Sequence, residues 1–123
     1  MATSTTSISV SRNKTDVSER HLIAFGTITV AAGNYATGGL TLSLADAAIN
    51  ASWLPVWVDI LSPTSGYTYR FNPGTTLANG KMLIFVQDGT TGPLAQLAAA
   101  ATPAGVTGDT INFQARFTKS RVL

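Results

Sequence analysis

The chain contains no cysteine, a single histidine and few charges: eight lysines and arginines against six aspartates and glutamates in 123 residues. Without cysteine there is no disulfide framework and no thiolate chemistry, and the redox compartment stays open. With His21 alone, a Ser/His/Asp relay would have to run through it, with Ser18 and Glu19 as its only close sequence neighbours, and no nucleophile elbow surrounds any serine. His21 therefore reads as a surface histidine at the start of a strand. No His or clustered carboxylates share a ligand spacing, so neither metal nor other cofactor is expected. Asp46, Asp59, Asp88 and Asp109 occur singly, and a two-carboxylate hydrolase site would need two of them to converge. Enzymatic activity is not expected. No uncharged apolar run reaches the ~18 residues of a membrane span, and MATSTTSISVSRNK lacks the pattern of a signal peptide. The chain is expected to stay in the cytoplasm where it is made, unless it leaves within a larger particle.

The charged fraction of 11% is well below the ~25% of an ordinary soluble domain. Either a neutral Ser/Thr surface keeps the chain soluble, or part of its surface is covered by copies of itself or by a partner. The net charge of +2 sits mostly at the ends, in Arg12, Lys14 and Arg20 and in Arg116, Lys119 and Arg121. No basic stripe interleaved with aromatics is present, so direct nucleic-acid binding is not expected.

What is abundant is strand pattern. In GYTYRFNPGTTLANGKMLIFV, Tyr67, Tyr69 and Phe71 share one side of an extended segment and Thr68 and Arg70 the other. Met82 to Val86 is apolar on both faces and belongs inside a sheet. Asn72-Pro73-Gly74 and Asn79-Gly80 signal the turn between them, the second suited to a type I′ hairpin. HLIAFGTITV is a strand whose Gly26 suggests a bulge, and Leu40, Leu42 and Leu44 alternate with polar residues. WLPVWVDIL is apolar, with Pro55 at a strand start, an edge or a bulge. Its Asp59 faces solvent or meets Arg70 across the sheet. PLAQLAAAA, residues 93–101, has helical propensity, opened by Pro93 and stopped by Thr102-Pro103. In DTINFQARFT, Ile111, Phe113, Ala115 and Phe117 point inward.

Seven or eight short strands separated by turns predict one all-β domain, a β-sandwich over residues 21–123, with a jelly roll first and an immunoglobulin-like sandwich as the alternative. Residues 1–20 read as a polar, extended N-terminal arm, either a mobile tail or an edge strand that orders on a neighbouring subunit. The candidate contact residues are Ile8, Val10 and Arg12 in the arm, Tyr35, Tyr67 and Tyr69, and Arg116 and Arg121 near the C-terminal end. Tyr and Trp suit subunit interfaces. Tyr35, Trp53, Trp57, Tyr67 and Tyr69 could alternatively stack on sugars, although large aromatics at alternating strand positions usually fill a core.

At YATGGLTLSL, at GYTYRF followed by NGKMLIFV, and at PLAQLAAAATPAGVTGDTINFQARF, the chain resembles the small head decoration, or cement, proteins of tailed bacteriophages. Thr37-Gly38-Gly39-Leu40, Gly66-Tyr67, Gly80-Lys81 and Asp109-Thr110-Ile111 with Phe113 and Phe117 carry the likeness. The resemblance implies a homo-oligomer, dimer or trimer, on the exterior of a virion capsid, made in the host cytoplasm and bound to the major capsid protein. It supplies no catalytic residue. The alternative from another class is a glycan-binding module of a phage tail or fibre.

Overall fold

The computed structural model describes residues 2–11, 16–17, 21–46, 49, 51, 54–62, 66–87 and 94–118. Arg12, Lys14, Arg20, Trp53, Asp88, Lys119 and Arg121 lie outside them. The described chain forms β1 (Thr6–Val10), β2 (Asp16–Val17), β3 (His21–Val30), β4 (Leu40–Leu42), β5 (Trp57–Leu61), β6 (Thr68–Asn72), β7 (Gly80–Gln87), β8 (Leu94–Gln96), the single helical turn α1 (Ala104–Thr107) and β9 (Ile111–Thr118). The strands pair antiparallel in two sheets. The first runs β1, β3, β9, β5, with β2 also on β3; the second runs β4, β7, β6, with β8 also on β7. Their inward rows merge into one core containing Leu22, Ile28, Leu40, Leu42, Met82, Ile84, Ile111 and Phe117. This is an all-β sandwich.

Strand alternation accounts for most of that core. All four inward residues of β9 are buried, and Met82 and Ile84 of β7 are buried while Leu83 and Phe85 are half-covered on the outer face. There the Arg70 guanidinium lies 5.3 Å from the centroid of the Phe85 ring, a cation–π contact. Arg70 therefore does not answer Asp59, whose strand β5 belongs to the other sheet.

Four local expectations are corrected. Gly26 makes no bulge, since it pairs in continuous register with Val10 and Phe113. A Cβ there would run into the Ser9 carbonyl and come within 2.7 Å of the Phe113 ring, so close packing rather than a bend demands glycine. The β6–β7 connection is no type I′ turn, because neither Gly74 nor Gly80 has positive φ. Asn79 closes that loop, its Oδ1 accepting the Thr76 N–H at 2.9 Å and its Nδ2 donating to Thr75 Oγ1 at 2.9 Å. The helix lies at residues 104–107, with Pro103 as its N-cap, and the described residues 94–101 are not helical.

In the Ala-rich segment, β8 pairs with Phe85 to Gln87, and Leu97 N–H donates to the Ile84 carbonyl at 2.8 Å. The three residues of β4 cover only Gly80 to Met82 of that β7 edge. A strand that completes the ladder outweighs a marginal short helix.

The fourth correction concerns the arm. Thr6–Val10 pairs along Gly26 to Val30 of its own chain, and Ile8 and Val10 pack against the core. Upstream, Ser4 N–H donates to the Asn34 carbonyl at 2.9 Å and Asn34 N–H to the Ala2 carbonyl at 3.0 Å. Gly33 permits this stitch, since a Cβ there would sit 2.8 Å from the Ala2 oxygen. The sandwich therefore begins before residue 21. Its N-terminal strand has a place within the subunit, so no neighbouring chain is needed to order it.

Candidate functional site

Each sheet ends in edge strands, and the sandwich is open along two seams where those edges approach. Ladder phase determines which backbone groups face each seam. Ala31 N–H donates to the Thr5 carbonyl and Ser11 N–H to the Phe25 carbonyl. Odd residues of β1 therefore turn their backbones to β3, and Thr6, Ile8 and Val10 turn theirs to the open edge. On β7, Ile84 N–H donates to the Tyr35 hydroxyl at 3.2 Å and its carbonyl accepts from Leu97. Even residues of β7 thus face the β4 side, Leu40 and Leu42 take those bonds, and the Thr41 backbone faces the seam. The Thr6 hydroxyl donates to the Thr41 carbonyl at 2.6 Å, joining β1 to β4.

The second seam lies between β5 and β6. Here the Asp109 carboxylate accepts from Ser62 Oγ at 2.6 Å on Oδ1 and from the Tyr69 hydroxyl at 2.7 Å on Oδ2. One carboxylate thereby fastens the end of β5, the start of β6 and the entry to β9. Beside it lies a cavity of about 220 Å³ lined by Ile60, Leu61, Ser62, Gly66, Tyr67, Thr68 and Tyr69. Asp109 is occupied as a hydrogen-bonded anchor, and among the described residues no three His, Asp or Glu side chains gather as metal ligands.

The outer face of the first sheet carries a third feature. Val56 N–H donates to the Arg116 carbonyl at 2.7 Å, while Trp57 is the residue opposite Arg116 in the ladder. Two residues thus face one, which is a β-bulge. It follows Pro55, consistent with the expectation that this proline marks a strand start, edge or bulge. The bulge leaves consecutive apolar side chains outside, Val56 at 67% and Trp57 at 49% exposure, and Leu61 follows at 62%. Asn112, Gln114 and Arg116 stand opposite Leu61, Asp59 and Trp57 on β9. Half-buried Phe25 and Ile23 continue the rows of Gln114 and Arg116 on β3.

The contact residues expected from sequence scatter. Tyr35 is 1% exposed, and its hydroxyl accepts from Ile84 N–H and, at 2.7 Å, from Gln96 Nε2. It fills the interval between β4 and β8 on the β7 edge. Tyr69 is buried against Asp109, and Tyr67 is half-buried with its ring 3.0 Å from where a Gly105 Cβ would stand. Tyr35 and Tyr69 are core residues of the subunit, which removes them from any interface. Ile8 and Val10 are half-buried, Arg116 is exposed beside Trp57, and Arg12 and Arg121 lie outside the described residues.

Val56, Leu61 and Leu94, the last 52% exposed, were not among the expected contact residues. A signal for Leu61 and Trp57 existed: both share strand parity with Asp59, and a charge on an apolar strand marks the outward face. No family model, curated protein or solved structure matches the chain.

Proposed function

We propose that the chain is a virion structural protein, a decoration protein of a bacteriophage head. It sits on the capsid exterior as a homo-oligomer and holds neighbouring major capsid protein subunits together. The observation that carries this reading is the Val56, Trp57 and Leu61 patch. A chain with few charges spends three large apolar side chains on one outward surface, two of them presented by a bulge opposite Arg116. Such patches mark interaction surfaces, and an aromatic beside an arginine is the composition of binding hot spots. Repeated by capsid symmetry, modest contacts of this kind add up to strong attachment without a deep site.

The specific observation favouring the second reading, a glycan-binding module of a tail or fibre, is the same exposed Trp57. It stands on the outer sheet face with Arg116, Gln114 and Asn112 on the neighbouring strand, a composition suited to stacking on a sugar ring.

Co-sedimentation of the purified protein with capsids separates the two. A decoration protein binds in hundreds of copies per particle, and Trp57→Ala lowers occupancy at least tenfold while leaving the fold intact. Binding in a handful of copies, or saturation unchanged by the substitution, overturns the decoration reading.

A further inference from the structure

The seam between β1 and β4 opens into a groove of about 480 Å³ lined by Thr3, Ser4, Thr5, Thr6, Ala36, Gly39, Thr41, Ser43 and Lys81. Its lining is polar and, Lys81 apart, short-chained. Six lining residues carry hydroxyls, one carries an ammonium group, and none is aromatic or acidic. We propose that this groove binds a tetrahedral oxyanion, a phosphate or sulfate group carried on a larger molecule.

Donors converge there from both sheets. Lys81 lies opposite Thr41 in the ladder, and its Nζ donates to Thr41 Oγ1 at 2.9 Å. That bond holds the ammonium over the groove and uses one of its three donors. The ladder phase derived above turns the N–H and C=O groups of Thr6 and Thr41 toward the seam from opposite edges, and the Thr41 carbonyl is taken by the Thr6 hydroxyl. The hydroxyls of Thr3, Thr5 and Ser43 belong to exposed residues of the lining.

The frame is rigid where it needs to be. Residues 2–4 are stitched to Asn34, Thr102 N–H donates to the Gly33 carbonyl, and the Ser4 and Thr102 hydroxyls are 2.7 Å apart. Gly39 has φ +103, and a Cβ there would lie 2.8 Å from the Met82 carbonyl oxygen, so the floor is closely fitted. Neutral sugars are usually gripped by stacking on an aromatic face, which this lining lacks. A cation backed by hydroxyl and backbone N–H donors suits an oxyanion. The groove lies on the opposite edge of the sandwich from Trp57, so a ligand here leaves the apolar patch uncovered.

Amide NMR titration of the full chain tests the proposal, using sodium phosphate and sodium sulfate against sodium chloride at equal ionic strength. Saturable shifts centred on Thr6, Thr41, Ser43 and Lys81 with phosphate or sulfate, and not with chloride, are expected. Lys81→Met weakens binding at least tenfold with an otherwise unchanged spectrum, and Thr41→Val provides a second variant if that one unfolds. Parallel arms with a short single-stranded oligonucleotide and a sulfated oligosaccharide identify the source: whichever binds more tightly than the free ion through these same residues is the carrier. Shifts shared with chloride, shifts scattered away from the groove, or equal binding by folded Lys81→Met overturn the proposal.

Discussion

The two open seams of the sandwich are closed by different means. Between β5 and β6, a single carboxylate reaches hydroxyls 47 and 40 residues away in sequence, and side chains do the fastening. Between β1 and β4, the Thr6 hydroxyl donates to the Thr41 carbonyl across an exposed seam, while each wall is held by backbone pairing within its own sheet. A hydrogen bond to a charged group contributes ~1.5–3 kcal/mol, an exposed neutral one much less. One seam is therefore fastened across and the other merely bordered. A bordered seam can admit a ligand without breaking anything the fold depends on, which is why the hydroxyl-lined groove and not the Asp109 cavity is the place to look for one.

The largest effect should come from removing the wall of the bordered seam. Deleting residues 2–10 strips β1 from β3, uncovers Val30 and Ile28, and discards the partly buried Ile8 and Val10. Each aliphatic side chain is worth ~1–2 kcal/mol when partly buried, so with the lost ladder the cost should reach at least ~4 kcal/mol. That is most of the stability of a small domain. Urea unfolding followed by tryptophan fluorescence measures it. A truncated protein as stable as the full chain would return residues 2–10 to the status of an appended arm.

Cutting the fastened seam comes next. Asp109→Ala leaves Ser62 and Tyr69 without their shared acceptor and should cost ~2–3 kcal/mol, with Tyr69→Phe costing about half as much because one of the two bonds remains. If Asp109→Ala shifts the urea midpoint no more than a surface substitution does, the carboxylate is ornamental and the contrast between the seams collapses.

How far this was legible beforehand follows from the range of the interactions. The inward row of β9 and the doubly apolar β7 were readable because strand alternation is local. So was the sandwich itself. The Asp109 fastening was not, since its partners are distant in sequence and nothing near Asp109 points to them. Residues 94–96 show the same limit from the other side: alanine propensity favours helix, and only the unfilled β7 edge, a tertiary fact, makes them a strand. For the first ten residues, the alternation of Ile8 and Val10 already allowed an edge strand; its pairing with β3 of its own chain was not legible, because nothing local selects the partner. For the apolar patch, the parity of Asp59 offered a signal that Trp57 and Leu61 face outward, which the reading of WLPVWVDIL did not use. The bulge that adds Val56 required the Arg116 carbonyl to be seen accepting from it.

The smallest predicted effect bears most directly on the comparison. Thr6→Val keeps a β-branched side chain of nearly the same volume, preserves strand propensity, and removes the hydroxyl that donates to the Thr41 carbonyl. On an exposed seam, water replaces that donor, so the unfolding free energy should change by less than ~0.5 kcal/mol. Oxyanion binding should nevertheless weaken two- to fivefold, because the bond sets the spacing of the two edges whose N–H groups face the groove. Urea unfolding and the phosphate titration on the same sample separate these outcomes. A variant that loses stability but keeps its affinity would mean that the hydroxyl fastens this seam as Asp109 fastens the other, and that it does not set the spacing of the groove's two edges.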